Sequence, residues 1–202
     1  MPSDDVRSPS GESGKPDPGM QRAALRRQLL ALRGALAQRS AADAGIEAAL
    51  AALLERLPVH RLGFYWPIQQ EFDARGVVSR WLAGAPGRQA ALPVVSRPGA
   101  PLDFHLWEPA TPMVAGHYGI PVPDGTPPLQ PDVLLIPCVG FSGDKFRLGY
   151  GGGFYDRTLA ALAAGGNAPV AIGIGHEACR IALVPQEHDL PMDWVVSEGG
   201  VF

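Results

Sequence analysis

Five consecutive positions, Gly149-Tyr150-Gly151-Gly152-Gly153, hold four glycines, and this stretch constrains the chain more than any other. Its backbone is free to take positive φ and to lie close against a ligand. Before it, Val133-Leu134-Leu135-Ile136 is an apolar run bracketed by Pro131 and Pro137, which predicts a buried strand. After it, Tyr155 to Leu162 has helix-forming composition and runs up to Gly165-Gly166, a helix stop. Strand, glycine loop and helix start together make an anion site, most often for phosphate, from free backbone N–H groups and the positive helix end. Arg147 and Arg157 flank the loop with charges suited to phosphate oxygens. A glycine-rich surface turn is the plainer alternative. The two arginines, and Asp156 in the first helical turn, favour a nucleotide.

Two better-known glycine motifs are excluded. A P-loop requires GxxxxGK[ST], and no Lys-Ser or Lys-Thr follows these glycines. A dinucleotide fingerprint requires GxGxxG; Gly149 and Gly151 fit, but position 154 is Phe. The loop also lies about a dozen residues past the strand, too far for a tight βα turn.

The segment Arg147-Leu148-Gly149-Tyr150-Gly151-Gly152-Gly153-Phe154-Tyr155-Asp156-Arg157 resembles the RLGxGxGYYDR loop of 5-formyltetrahydrofolate cyclo-ligases, also called methenyltetrahydrofolate synthetases. The resemblance extends over about residues 20–198. Arg22-Ala23-Ala24-Leu25-Arg26 is similar to the family's KxxxR pair, with Arg in place of Lys, which in the family reaches the ATP phosphates. Glu71 matches a Glu that binds the reduced pterin, although Gln70 and Phe72 replace its usual Gly and Ile neighbours. Gly119-Ile120-Pro121-Val122-Pro123 is similar to a GIPxP signature. Val184 to Asp193 is similar to a PxExHDxPxD pattern whose Asp, here Asp189, joins the glycine-loop Asp156 around magnesium. Phe154 stands where the family usually has Tyr.

The resemblance implies an ATP-dependent conversion of 5-formyltetrahydrofolate to 5,10-methenyltetrahydrofolate, giving ADP and phosphate. It assigns catalytic roles to Arg147 and Tyr155, and magnesium ligation to Asp156 and Asp189. ATP would be held by Arg22, Arg26, Arg147, Gly149, Tyr150, Gly151, Gly152, Gly153, Phe154 and Tyr155. Substrate would meet Trp66, Glu71, Tyr150 and Phe154. ATP and Mg2+ are the implied cofactors. Two other readings remain at this stage: a folate- or nucleotide-binding relative without turnover, and another ATP-dependent ligase or kinase on the same scaffold.

The residues carry their own reading beside that one. From Met20 to Arg39, leucines at 25, 29, 32 and 36 fall at helical spacing. Arg22, Arg26 and Arg33 lie within about 40° of one another beside that stripe, so their stems are half-buried and their charges point one way. Arg27 and Arg39 fall off that face and read as solvated charges. Ala41 to Leu57 reads as a second helix and Arg61 to Trp66 as a strand, with Gln69 to Asp73 opening a third helix that runs to Trp81. Glu71 then has a plain alternative as a first-turn carboxylate balancing the helix dipole. Residues 89–95 and 103–106 read as strands, with Pro93 marking an edge or a bend. Residues 107–131 read as a loop, and 169–174 and 194–197 as strands.

At 46% apolar and 18% charged, 202 residues make one ordinary domain with a real core. Strands alternating with helices predict a three-layer α/β/α domain with a mainly parallel central sheet. The resemblance relates that architecture to sugar-phosphate isomerases and CoA transferases. Residues 1–19, rich in Pro, Ser, Gly and Asp, read as a disordered tail before a single domain from residue 20 to 202. A net charge of −3 argues against nucleic acid as the main partner. Two cysteines, with no apolar run near 18 residues and no signal-like start, suit a cytoplasmic protein, expected as a monomer or weak dimer. Hydrolase chemistry has no footing: Gly140-Phe141-Ser142-Gly143-Asp144 lacks the last Gly of a nucleophile elbow. Cys138 reads as small apolar packing rather than a nucleophile.

Overall fold

The computed structural model describes residues 18–187 and 189–202. The expected tail up to residue 17 and His188 therefore lie outside the described residues. In chain order the long elements begin with helix α1 (Pro18–Gly34), helix α2 (Arg39–Arg56), strand β1 (Arg61–Gly63) and helix α3 (Arg75–Gly84). Strands β2 (Gln89–Val94), β3 (Asp103–Trp107), β4 (Met113–Ala115), β5 (Pro121–Pro123), β6 (Val133–Pro137), β7 (Gly140–Phe141) and β8 (Arg147–Leu148) follow. Helix α4 (Phe154–Ala164) and strands β9 (Val170–Ile174), β10 (Trp194–Ser197) and β11 (Gly200–Val201) complete the chain.

Seven strands form one sheet in the order β11-β10-β9-β6-β1-β2-β3. The inner pairings β2–β1, β1–β6, β6–β9 and β9–β10 are parallel, and only the outer pairs β2–β3 and β10–β11 are antiparallel. β6 lies at the centre, and every one of its residues is buried. Its period of two sends Val133 and Leu135 to one face and Leu134 and Ile136 to the other. The first pair packs with Ile46, Leu50 and Leu54 of α2 and Val78 and Trp81 of α3. The second packs with Leu159 of α4. Helices therefore cover both faces, which is the three-layer architecture expected.

α1 stands apart from these layers. Its Leu29 joins a small third cluster with Val139, Leu148 and Cys179, flanked by Leu25, Leu30, Ile181 and Leu183.

The structure corrects several sequence expectations. α1 begins at Pro18 and stops at Gly34, so Arg39 belongs to the next helix. Residues 69–73 do not open α3; Gln69 and Gln70 are left-handed, with φ of 45° and 61°, and the helix starts at Arg75. Glu71 is therefore not a first-turn carboxylate. Pro93 is at neither a sheet edge nor a bend. It sits near the end of β2, past the three residues that pair with β1, so its missing N–H breaks no ladder bond to that neighbour. The supposed loop 107–131 contains the β4–β5 hairpin, which turns through His117–Gly119. A second hairpin, β7–β8, accounts for the dozen residues between β6 and the glycines.

Candidate active site

The strand order reverses between β1 and β6: the chain leaves β1 towards β2 on one side, and leaves β6 towards β9 on the other. Open α/β sheets bind ligands in the crevice outside the carboxyl ends of the strands at such a point. A cavity of about 700 Å³ is found there. Tyr65 to Glu71, following β1, line one part of it, and Pro137 at the end of β6 lines another. The β7–β8 hairpin carries the glycine loop to the same place. Its short strands bury Arg147 and Leu148, which fixes the loop at its first residue. The β4–β5 hairpin adds a wall of His117, Tyr118, Ile120 and Val122. The Tyr118 ring meets Phe154 edge to face, with centroids 6.5 Å apart.

Every residue to which the resemblance assigns a site role lines this one cavity, although the positions run from Arg22 to Asp189. Gly151 and Gly153 have φ of 96° and 64°, a region in which side chains are strained. Gly153 is the residue before α4, so the loop's N–H groups and the helix N-terminus converge as expected. Arg147 is only 6% exposed; one nitrogen donates to Asp156 at 2.6 Å. Its Nη1 is buried with no hydrogen-bond partner among the described residues. A buried guanidinium N–H without an acceptor is costly, and Arg147 carries one at the wall of this cavity.

From α1, Arg26 donates through Nε to the Gly149 carbonyl at 2.7 Å. Burial, and then the charge of Arg22, hold its guanidinium below the usual arginine range. Arg22 is paired with Asp189 at 2.5 Å and also donates to the Val184 carbonyl. Arg157 departs from the reading as a phosphate ligand. It lies outside the cavity lining, donates to the Gly152 carbonyl at 2.8 Å and stacks over the Phe154 ring, so it shapes the loop from behind.

At the other end, Glu71 is 6% exposed and its two oxygens are engaged separately. The Tyr150 hydroxyl donates to Oε1 at 2.6 Å and the Ile68 N–H to Oε2 at 2.8 Å. Burial pushes the carboxyl above its ordinary range, while those two donors and the Arg33 charge hold it down. Two oxygens carry about four acceptor positions, so Glu71 retains capacity for a ligand's N–H groups. Trp66 is partly buried beside it, with the Arg75 guanidinium 4.3 Å above its ring. Tyr155 completes the wall between the two ends, its phenol held protonated by burial. Cys138 is 2% exposed, and burial pushes its thiol up to about 12, so it has no nucleophilic role at neutral pH.

Sequence reasoning grouped Arg33 with Arg22 and Arg26 but gave it no role. It is 3% exposed and donates to the Gln69 and Cys138 carbonyls and to the Tyr150 hydroxyl. The period-3.6 face was the signal that pointed to it. Arg39 is not a solvated charge: it donates to Asp43 at 2.8 Å and to the Gln70 and Glu71 carbonyls. Helical periodicity could not find it, because it acts across the break between α1 and α2.

Asp156 and Asp189 both line the cavity, each already paired with an arginine. Among the described residues no group of three or more His, Cys, Asp or Glu is placed to hold a metal ion. Magnesium takes one or two carboxylates and fills the rest of its octahedron with phosphate oxygens and water, so two cavity-lining aspartates would be enough protein donors for it.

The fold and the cavity define an α/β protein of the open-sheet class, with a glycine loop at one end of its cavity and a buried carboxylate at the other. The family model described as the 5-formyltetrahydrofolate cyclo-ligase family matches residues 18–198. The 5-formyltetrahydrofolate cyclo-ligase of Escherichia coli K12 is 31% identical over 151 residues, covering 71% of this chain and 80% of the relative. The 5,10-methenyltetrahydrofolate synthetase of Mycoplasma pneumoniae superposes with a TM-score of 0.70 at 27% identity, over 89% of this chain and 99% of that one. That of Aquifex aeolicus shares the fold with a TM-score of 0.71 at 23% identity, over 90% and 92% of the two chains. The chain belongs to the 5-formyltetrahydrofolate cyclo-ligase family and is a ligase of that class.

Proposed function

We propose that this cavity closes 5-formyltetrahydrofolate to 5,10-methenyltetrahydrofolate at the expense of ATP, with the triphosphate on the glycine loop and the pterin on Glu71. The observation that carries this reading is the buried, unpartnered Nη1 of Arg147, at the wall of the same cavity that Glu71 lines. A volume of about 700 Å³ is within the range of ligand sites and continuous between the two ends.

The oxygen of an N-formyl amide is a poor leaving group. Moving the γ-phosphoryl of ATP onto it forms an O–P bond and releases ADP. Nitrogen 10 then attacks the activated carbon, the C–N bond forms, the C–O bond breaks, and the oxygen leaves with phosphate. Nitrogen 10 gives up its proton. No protein nucleophile is needed, only alignment and charge neutralisation. Arg147 would neutralise the transferring phosphoryl oxygens, and the loop N–H groups would hold the rest of the triphosphate. Arg22 and Arg26 add positive charge along the cavity wall, while Trp66, Tyr150 and Phe154 flank the folate. Magnesium, held by Asp156 and Asp189, would neutralise phosphate charge.

The test is the absorbance of the methenyl product when ATP, magnesium and 5-formyltetrahydrofolate are supplied together. Product is expected to form only with all three, and excess chelator is expected to abolish it. Turnover without ATP would overturn the reaction assigned here; robust turnover in chelator would remove the metal role from Asp156 and Asp189. Binding of both ligands without any product would make the chain a binding relative.

A further inference from the structure

Glu71 is presented by an unfavourable piece of backbone. Gln69 and Gln70 both have positive φ, and neither is glycine. Side chains seldom adopt that region even singly, so two in succession persist only where their surroundings over-determine them. Three consecutive carbonyls of this turn are taken by two arginines. Arg33 Nε donates to the Gln69 carbonyl at 3.1 Å; Arg39 Nη2 donates to the Gln70 carbonyl at 2.6 Å and to the Glu71 carbonyl at 3.0 Å.

Each arginine is itself held. Arg33 spends its other nitrogens on the Cys138 carbonyl after β6 and on the Tyr150 hydroxyl, which in turn donates to Glu71. Arg39 pairs through Nε with Asp43, and the other oxygen of Asp43 meets Nε2 of His176, a residue only 1% exposed. The turn is thus tied to α1, to α2 and, through His176, to the segment after β9.

We propose that Arg33 and Arg39 are positioning residues of the folate subsite, which hold the left-handed Gln69–Gln70 turn so that Glu71 faces the cavity ready to receive the pterin. This rests on the reading of Glu71 as the pterin ligand. Arg39 is outside the cavity lining, so its effect on the folate subsite is indirect, through the turn whose carbonyls it holds.

The distinguishing experiment is steady-state kinetics on Glu71→Gln, Arg39→Ala, Arg39→Lys and the double variant Arg39→Ala/Gln70→Gly. Arg39→Ala should raise KM for 5-formyltetrahydrofolate by about tenfold, the size of one charged hydrogen bond lost. KM for ATP should stay within about twofold of wild type, since the glycine loop is not held by Arg39. Lys can offer its ammonium to the carbonyls but has no second nitrogen to pair with Asp43 at the same time, so Arg39→Lys should fall between. Glycine accepts positive φ without strain, so adding Gln70→Gly should recover most of the lost KM. A purely structural arginine would not be rescued by relaxing that turn.

Unchanged folate KM in Arg39→Ala, alongside a raised KM in Glu71→Gln, would overturn the inference and leave the pterin reading standing. Equal damage to folate and ATP kinetics, with no recovery in the double variant, would also overturn it. Unchanged folate KM in Glu71→Gln would remove the pterin reading itself, and this inference with it. Arg33→Lys, read the same way, covers the buried partner without emptying its site.

Discussion

Replacing Arg147 by Met is expected to lower kcat for methenyl formation by about 10²–10³-fold, the loss that follows removal of a single preorganised donor from a developing negative charge. The residue is buried on β8, paired on one side with Asp156, and leaves Nη1 without an acceptor among the described residues. Its guanidinium is already desolvated, and Asp156 holds one side of it in place. Met fills a similar volume while removing the charge and all five donors. The Asp156 side chain is 24% exposed and can be hydrated when its partner is gone, so the fold should survive the change. Arg147→Lys should recover little, because an ammonium cannot pair with Asp156 and present a second N–H in the same plane. Single-turnover rates at saturating ATP and folate are the measurement. A kcat within threefold of wild type in Arg147→Met would take the phosphoryl role away from this residue.

Gly151→Val is expected to weaken ATP binding tenfold or more, about 1.4 kcal/mol, in a protein that still folds. At φ of 96° a β-branched residue is strained on its own account. The new β-carbon would also come 3.3 Å from the guanidinium carbon of Arg26, displacing the arginine that ties α1 to the loop. Gly152→Ala is the informative contrast. Gly152 is not in the left-handed region, and its β-carbon would meet only the edge of the Phe154 ring at 3.0 Å. It should cost modest activity once that half-buried ring gives way by a few tenths of an ångström. Calorimetric titration with ATP, alongside the thermal midpoint of each variant, decides the matter. Equal ATP affinity in wild type and Gly151→Val would leave the loop as a structural turn.

The parts of this molecule that were legible in the sequence are those governed by a local rule. Val133 to Ile136 announced a buried strand because both of its faces are apolar, and the strand order puts it at the centre of the sheet. The stripe of Leu25 and Leu29 announced α1 because a 3.6 period needs no partner to be seen. The glycine loop was legible because positive φ restricts the choice of residue. What escaped were features set by long-range contact. Gln69 and Gln70 look like helix formers, yet both are left-handed, with their carbonyls taken by Arg33 and Arg39 from other elements. The β4–β5 and β7–β8 hairpins are too short for any alternation to register. Arg157 carries the right charge in the right motif, yet the αL turn at Gly153 places it behind the loop. The candidate residues were found through a motif, but their convergence in one cavity is a property of the strand order.

The separateness of α1 has a consequence for how the molecule breathes. The helix adds no strand or layer to the sheet core; its one fully buried leucine, Leu29, sits in a cluster of four buried residues at the end of the sheet. Leu25 and Leu30 pack beside it, and the helix's polar ties run into the cavity, through Arg22 to Asp189, Arg26 to Gly149 and Arg33 to Gln69. Segments fastened by few apolar contacts open at lower free energy than the whole domain. The amide hydrogens of α1 should therefore exchange with solvent well before those of β6 or β9. Ligands that draw on Arg22 and Arg26 then act as its fasteners, and occupancy of the site is written into the local stability of the chain's first helix.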